Sequence, residues 1–453
     1  MDIQEFKNIF PNYKLPYYTH FDTRISLAKA LKYVQNPDNI KHHAFYPFIE
    51  FTTKHYKYSY NEQRQKLRQL KIRHLDYAAH IDSFIYKYYS FLLNKQYEQY
   101  LKKINIASCV LAYRSDLHKK CNIHFAKAAF TFLKNTPNAY VIIGDFKDFF
   151  GSLNHRYLKQ SLATVLGTNS LTDDYYAIFK SLTKYATVQR QTLLKLNKLS
   201  DTAQGLKSFN QLSTALPHNL TISAAKKLVP NFIHKNPYDY GIPQGTSISG
   251  IFANIYLLEF DKALQQLVKQ SNGLYLRYCD DIIIILPRLS KEEFQEQYTA
   301  FKSILTSIPN LCLEEKKTNI FFYNHNKLKN ISNEIHATSK YCVDAINYLG
   351  FMFANDGISI RDKVISKYYY RMYKKALNIS KVNSYHKKHY GCKNLYLRYS
   401  THHEKIIMAH ARIKYTANFL DYVKHAITIF KDEKMVATVL KKHLHKIRQK
   451  LNS

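Results

Sequence analysis

Acidic residues are what this sequence lacks most. Its 453 residues hold 33 Asp and Glu against 67 Lys and Arg, a net charge of +34. A chain with that excess repels itself unless a polyanion neutralises it, so nucleic acid is the expected partner, bound with a salt-dependent affinity. A compositional bias toward Lys, Asn, Ile and Tyr accounts for some of the lysine but not for the missing acids. Long apolar runs are absent as well: no stretch reaches 18 residues, and Met1-Asp-Ile-Gln-Glu5 is not a signal sequence. A cytoplasmic protein with no membrane association is expected. The six cysteines, Cys109, Cys121, Cys279, Cys312, Cys342 and Cys392, include no Cys-x-x-Cys pair. That argues against a zinc knuckle and a disulfide framework, and reduced thiols are expected. His42-His43 has no acid or cysteine at ligand spacing, and His402-His-Glu-Lys lacks the further histidine of a metalloprotease helix.

What is present is organised around Leu274-Tyr-Leu-Arg-Tyr-Cys-Asp-Asp-Ile-Ile-Ile-Ile-Leu286. The flanks read as two buried strands meeting at a tight turn, with Asp280 and Asp281 between them. Carboxylates at the tip of a core hairpin are costly unless a cation compensates them, and a divalent metal is the natural one. Neighbouring strand residues point to opposite faces, so a further carboxylate must come from elsewhere. Val141-Ile-Ile-Gly-Asp145 supplies it: a short apolar strand that ends in an acid, before Phe-Lys-Asp-Phe-Phe150 turns toward a helix. Asp148 would begin that helix and either cap it or sit where backbone N–H groups face a phosphate. Paired metals on carboxylates from adjacent strands suit in-line phosphoryl transfer, hence nucleotidyl transfer.

Five segments in order extend this pattern: Gly144-Asp-Phe-Lys-Asp-Phe-Phe-Gly-Ser-Leu153, Gly241-Ile-Pro-Gln-Gly-Thr-Ser-Ile-Ser-Gly250, Tyr278-Cys-Asp-Asp281, Leu313-Glu-Glu-Lys-Lys-Thr318 and Tyr348-Leu-Gly-Phe351. Together they resemble the palm motifs of reverse transcriptases, over about Tyr113 to Phe351. The resemblance implies an α+β right-hand polymerase with fingers, a palm built on an antiparallel sheet, and a helical thumb. It implies catalysis by Asp145, Asp280 and Asp281 with two Mg²⁺ ions, and Lys317 at the leaving pyrophosphate. Phe150 becomes the steric gate against a ribose 2′-hydroxyl; the alternative for that ring is a core aromatic beside Phe149. Phe146, Gln244 and Gly245 are placed at the incoming nucleotide, Gly245 because its backbone can approach a base or sugar closely. Val110 to Lys127 is similar to a fingers segment, and Arg114 is chosen there as the triphosphate ligand because guanidinium matches phosphate oxygens. Tyr348-Leu-Gly-Phe351 resembles the hairpin that grips a primer end.

The flanks are assigned by position. Residues 1–105 read as a helical N-terminal extension, with helical spacing from His74 to Leu93; 106–355 as fingers and palm; and 356–453 as a basic helical thumb, with helices over Asp362–Lys381, His402–Val423 and Lys431–Leu451. The N-terminal aromatics pack a helical face or bind RNA by stacking. Residues 165–240 carry no assigned role, with a loop over Asn197–Gly205, and a helix is expected from Ile248 to Phe260. About 100 residues after the palm leave little room for a nuclease domain. By elimination the chain resembles stand-alone, defence-associated bacterial reverse transcriptases. That implies a structured non-coding RNA as template or scaffold, dNTPs as substrates, an RNA–DNA duplex as product, and a role against phage. Alternatives are a retron-like or intron-derived enzyme, a template-independent or tyrosine-primed DNA polymerase, and a non-catalytic RNA-binding scaffold. The sequence leaves the oligomeric state open.

Overall fold

A computed structural model describes residues 2–11, 13, 16–60, 65–117, 119–218, 220–336, 342–386, 391–400, 417–431, 433, 436 and 443–451. Its strands are β1 (Phe48–Tyr60), β2 (Lys66–Tyr77), β3 (Asn138–Asp145), β4 (Ala186–Gln189), β5 (His234–Lys235), β6 (Leu274–Tyr278), β7 (Asp281–Pro287), β8 (Asn319–Asn324), β9 (Lys327–Asn330), β10 (Ala345–Tyr348), β11 (Phe351–Ala354) and β12 (Gly357–Ile360). They form three sheets, ordered β6-β7-β3-β8-β9, β2-β1-β4-β5 and β10-β11-β12.

The five-stranded sheet is antiparallel and covered on both faces, which is why its strands are nearly continuous apolar runs. Side chains alternate between two cores. Ile282 and Ile284 of β7, Tyr140 and Ile142 of β3, and Ile320 of β8 face one core, packed by helices His80–Lys103, Ser249–Tyr256, Leu258–Gln270 and Lys291–Ser307. Ile283, Ile285, Val141, Phe321 and Tyr323 face the other, packed by helix Asn122–Lys134, the three-stranded sheet and helix Phe419–Ile429. Each buried isoleucine contributes about 2 kcal/mol, so β7 holds its register firmly up to the acidic turn at its start.

The N-terminal 105 residues are not helical throughout. Short helices at Ile3–Ile9, Leu27–Val34 and Pro37–Lys41 precede a long antiparallel hairpin, β1–β2, before helix His80–Lys103 begins. His74 to Tyr77 therefore belong to β2, and the helix expected from His74 starts six residues later. Its first N–H groups are capped from a distance: Asp22 accepts from the backbone N–H of His80 and of Ile81, each at 3.0 Å. Residues 165–240 pack under this hairpin. β4 runs parallel to β1, and Ile49, Val188, Leu193, Phe209 and Phe232 share a small core. The expected loop over Asn197–Gly205 gives way to helix Ala203–Phe209 at its end, and the helix expected over Ile248–Phe260 is two helices broken at Leu257.

After β12, helix Asp362–His386 packs on Cys392–Tyr399 and His443–Leu451 through Met372, Ala376, Leu395 and Ile447. Residues 402–416 of the expected second thumb helix, with His402-His-Glu-Lys, lie outside the described residues. So do Lys441 and Lys442 of the basic tail. No helix among the described residues is long and apolar enough to cross a membrane.

Candidate active site

The β6–β7 turn consists of Cys279 and Asp280. Cys279 takes a positive φ of 59°, a conformation that tight hairpins require and that non-glycine residues seldom adopt. The turn is held from below. Arg277, on β6, is fully buried (0% exposed) and bound to the equally buried Asp261: Nε donates to Oδ1 at 2.8 Å and Nη2 to Oδ2 at 2.6 Å. Nη1 donates to Asn254 Oδ1 at 2.9 Å and to the carbonyl of Cys279 at 3.0 Å. Tyr275 adds its hydroxyl to Asp261 at 2.6 Å. Burying this pair is tolerable because every strong donor and acceptor in it is matched. Its consequence is a fixed carbonyl one residue before Asp280.

β3 brings the third acid. Asp145 lies opposite Asp281 in the β3–β7 register, and the N–H of Phe146 donates to the Asp280 carbonyl at 3.1 Å. Asp145, Asp280 and Asp281 therefore meet at one end of the sheet. Burial, and after it the Asp280 carboxylate, push the Asp281 carboxyl up to about 6, although the side chain opens to solvent; Arg361 pulls the other way. Lys317 comes from the segment that follows Glu314, whose N–H donates to the Asp145 carbonyl at 2.8 Å. Its ammonium is ion-paired with Asp145 Oδ2.

The donor set fits divalent metal. The acids are hard oxygen ligands, burial and then the Asp280 charge raise the pKa of Asp281, and a cation already sits against Asp145. The oxygens of all three do not converge within 4.8 Å of one another, so the fit is one of charge and donor type.

Phe150 is half-buried at the edge of the first core, and its carbonyl accepts from Ile242 N–H at 2.8 Å. That bond joins the short helix Phe149–Ser152 to the turn carrying Gln244 and Gly245. Gln244 is exposed, and its carbonyl accepts from Asp76 N–H on β2 at 3.0 Å. Gly245 has φ 131°, and a Cβ there would run into the Asp76 carbonyl. Phe150, Gln244 and the base of the β1–β2 hairpin thus lie together. Asp76 itself is pushed up to about 7 by burial first and by Glu50 across the ladder second.

Two side chains lie elsewhere than expected, and a third expectation is narrowed. The Arg114 side chain is only 2% exposed: it pairs with Asp116 at 2.5 Å and donates to the carbonyls of Ala107 and Val110, so here it braces its own loop. Phe146 is 3% exposed, with its ring among Phe149 and Phe260, so its side chain is core. Asp148 does begin the short helix, at its N-cap position with a left-handed φ of 43°, but makes no side-chain cap bond.

Residues that the sequence did not single out lie near these segments. Tyr113, beside Arg114, is 49% exposed and takes a thiol hydrogen bond from Cys279 at 3.5 Å. Its ring lies where a Cβ on Gly250 would come within 2.8 Å, so that glycine makes room for it. The β1–β2 hairpin, whose Asp76 meets the Gln244 turn, carries Lys54 and Arg68 on one face and Lys71 and Arg73 on the other, with Arg68 stacked over Tyr56. Its alternating Tyr, Thr and Lys residues were the available signal.

The sequence matches the family described as "Reverse transcriptase (RNA-dependent DNA polymerase)" over residues 87–353, more than half of the chain. The chain belongs to the reverse transcriptases. Its matched region is an RNA-directed DNA polymerase, a nucleotidyltransferase domain with the right-hand fold. Among solved structures it is similar to an apo telomerase from Candida tropicalis truncated from its C-terminal domain, at 13% identity and TM-score 0.40, covering 68% of this chain and 55% of that one. It is also similar to telomerase from Candida albicans in complex with a TWJ fragment of telomeric RNA, at 12% identity and TM-score 0.38, covering 93% of this chain and 64% of that one. The chain thus spans less than two thirds of either. No curated protein matches it.

Proposed function

We propose that this reverse transcriptase copies a bound, structured non-coding RNA into DNA at the Asp145, Asp280 and Asp281 cluster. The observation that carries this is the register that sets Asp145 opposite Asp281, with Asp280 held in the adjoining turn. Two Mg²⁺ ions on these acids would lower the pKa of the primer hydroxyl and neutralise the triphosphate. The chain's own residues do the rest. Arg277 fixes the turn, Lys317 stands beside Asp145 where it can give a proton to the leaving pyrophosphate, and the Phe150 ring excludes a 2′-hydroxyl. The net charge of +34 holds the template and the RNA–DNA product.

The setting we propose is the cytoplasm of a bacterial cell, in defence against phage. It is supported by the resemblance to stand-alone, defence-associated bacterial reverse transcriptases. The test is sequencing of RNA and DNA co-purified from phage-infected cells, comparing the wild type with the Asp280→Ala, Asp281→Ala double variant. One RNA in both samples, with complementary DNA in the wild type alone, is expected. DNA of a single repeated base, or DNA resistant to phenol extraction because it is joined to tyrosine, would replace templated synthesis with the untemplated or protein-primed alternative. RNA without DNA in both would leave a scaffold.

A further inference from the structure

Away from the catalytic acids, the fold assembles a second group of ligand atoms that the sequence keeps 300 residues apart. Cys121 precedes helix Asn122–Lys134, His124 lies in its first turn, and His425 comes from helix Phe419–Ile429. One ligand atom from each lies within 4.8 Å of the other two. The two helices run in step. Asn122 Nδ2 donates to the Tyr422 hydroxyl at 2.9 Å, the rings of His124 and His425 are 5.6 Å apart, and Lys127 Nζ donates to the Ile429 carbonyl at 2.5 Å. The cysteine–histidine contact is thus one rung of a polar ladder, flanked by hydrogen bonds that fix the spacing.

From this cluster we infer a transition-metal site that binds one zinc-class ion through Cys121 Sγ and an imidazole nitrogen of each histidine, with a fourth position left to water. The geometry supports it. A tetrahedral ion with a thiolate at ~2.3 Å and an imidazole at ~2.05 Å sets those two atoms ~3.5 Å apart. Cys121 Sγ and His124 Nδ1 are 3.5 Å apart. His124 Nδ1 also accepts the Cys121 N–H at 3.3 Å, a hydrogen bond that the ion would replace at that nitrogen. Thiolate with imidazole selects Zn²⁺ and its neighbours over Mg²⁺, so the site does not compete for the polymerase ions. On binding, the Cys121 thiol gives its proton to solvent and the sulfur takes the ion. The complex carries a net charge of +1, which the nearby Lys120 and Lys127 tolerate better than a free dication.

The place of the site gives it a role. Asn122, next to Cys121, also donates to the Leu349 carbonyl at 2.8 Å. Leu349 and Gly350, both at positive φ, form the β10–β11 turn that resembles a primer grip. The ion would therefore clamp helix Phe419–Ile429 to the palm beside that turn.

The test uses the full chain, stripped with a chelator and titrated with Co²⁺ alone, and then with Zn²⁺. The expected result is a 1:1 thiolate-to-cobalt charge-transfer band, displaced by Zn²⁺. The band should be absent from Cys121→Ser and from His425→Ala, and retained by the Asp280→Ala, Asp281→Ala variant. His425 is exposed, so its loss leaves the fold intact, as far-UV circular dichroism would verify. Zinc should raise the melting temperature of the wild type and not that of His425→Ala. No band in the wild type, or a band that survives both ligand substitutions, overturns the assignment and leaves a thiol–imidazole hydrogen bond only.

Discussion

Arg277 reaches from β6 to the carbonyl of Cys279 at 3.0 Å, while Asp261 clamps the other side of its guanidinium. The catalytic turn is therefore anchored by a charge pair that never meets solvent. Arg277→Met leaves the Asp261 carboxylate buried without its partner, and a loss of about 3–5 kcal/mol in urea unfolding is expected. Adding Asp261→Leu removes the orphaned charge and should recover much of that stability. Primer extension by the double variant should stay low, since the Cys279 carbonyl still lacks its donor. Full activity in the stable double variant would show that the anchor does not matter.

Arg114 separates bracing from phosphate binding. Arg114→Ala deletes its bonds to Asp116, Ala107 and Val110, so the expected effect is a stability loss of about 2–4 kcal/mol. At a temperature where the variant remains folded, KM for dNTP should be close to that of the wild type. A large rise in KM with unchanged stability would restore Arg114 as a triphosphate ligand.

Asp281 makes stability depend on pH in the metal-free enzyme. Its folded pKa of about 6 lies above the ordinary value of 3.8, so the folded state binds the proton more tightly than the unfolded state does. Its contribution to stability is present below pH 4 and is lost as pH rises through 6. In EDTA, Asp281→Asn should melt with the wild type near pH 4 and above it at pH 7. Mg²⁺ should then raise the wild type more than the variant. Equal melting temperatures at pH 7 would remove the cost of an ionised Asp281 on which the metal assignment leans.

The proposed gate against a ribose 2′-hydroxyl is Phe150. Phe150→Val should raise ribonucleotide incorporation relative to deoxynucleotide by at least about tenfold, because the ring no longer opposes the 2′-hydroxyl; a change of a few kcal/mol in discrimination is within reach of one contact. Unaltered selectivity would return Phe150 to the core aromatics it adjoins.

The parts of this site that were legible in the sequence are those encoded locally. Val141 to Asp145 and Leu274 to Leu286 carry their burial in their own composition, and acids at the ends of such strands stand out. What was not legible depends on partners far along the chain. Arg277 looked like one polar residue in an apolar strand until Asp261 and Asn254 met it. Arg114 and Tyr113 are neighbours, and the backbone turns at Tyr113, with φ 57°, so that one side chain is buried and the other exposed. The β1–β2 hairpin was masked by lysines and tyrosines that serve a helix face equally well. Cys121 and His124 had the spacing of ligands, but His425 had to be brought to them.

Primer extension bears on catalysis by the three acids without intermediaries: purified protein, an RNA template annealed to a DNA primer, Mg²⁺ and dNTPs, comparing wild type with Asp145→Asn and Asp280→Asn. Template-encoded DNA is expected from the wild type, with a fall of at least about a thousandfold in each variant, since each removes a proposed ligand of the ions that would activate the hydroxyl. Undiminished extension by either folded variant would contradict catalysis at this cluster.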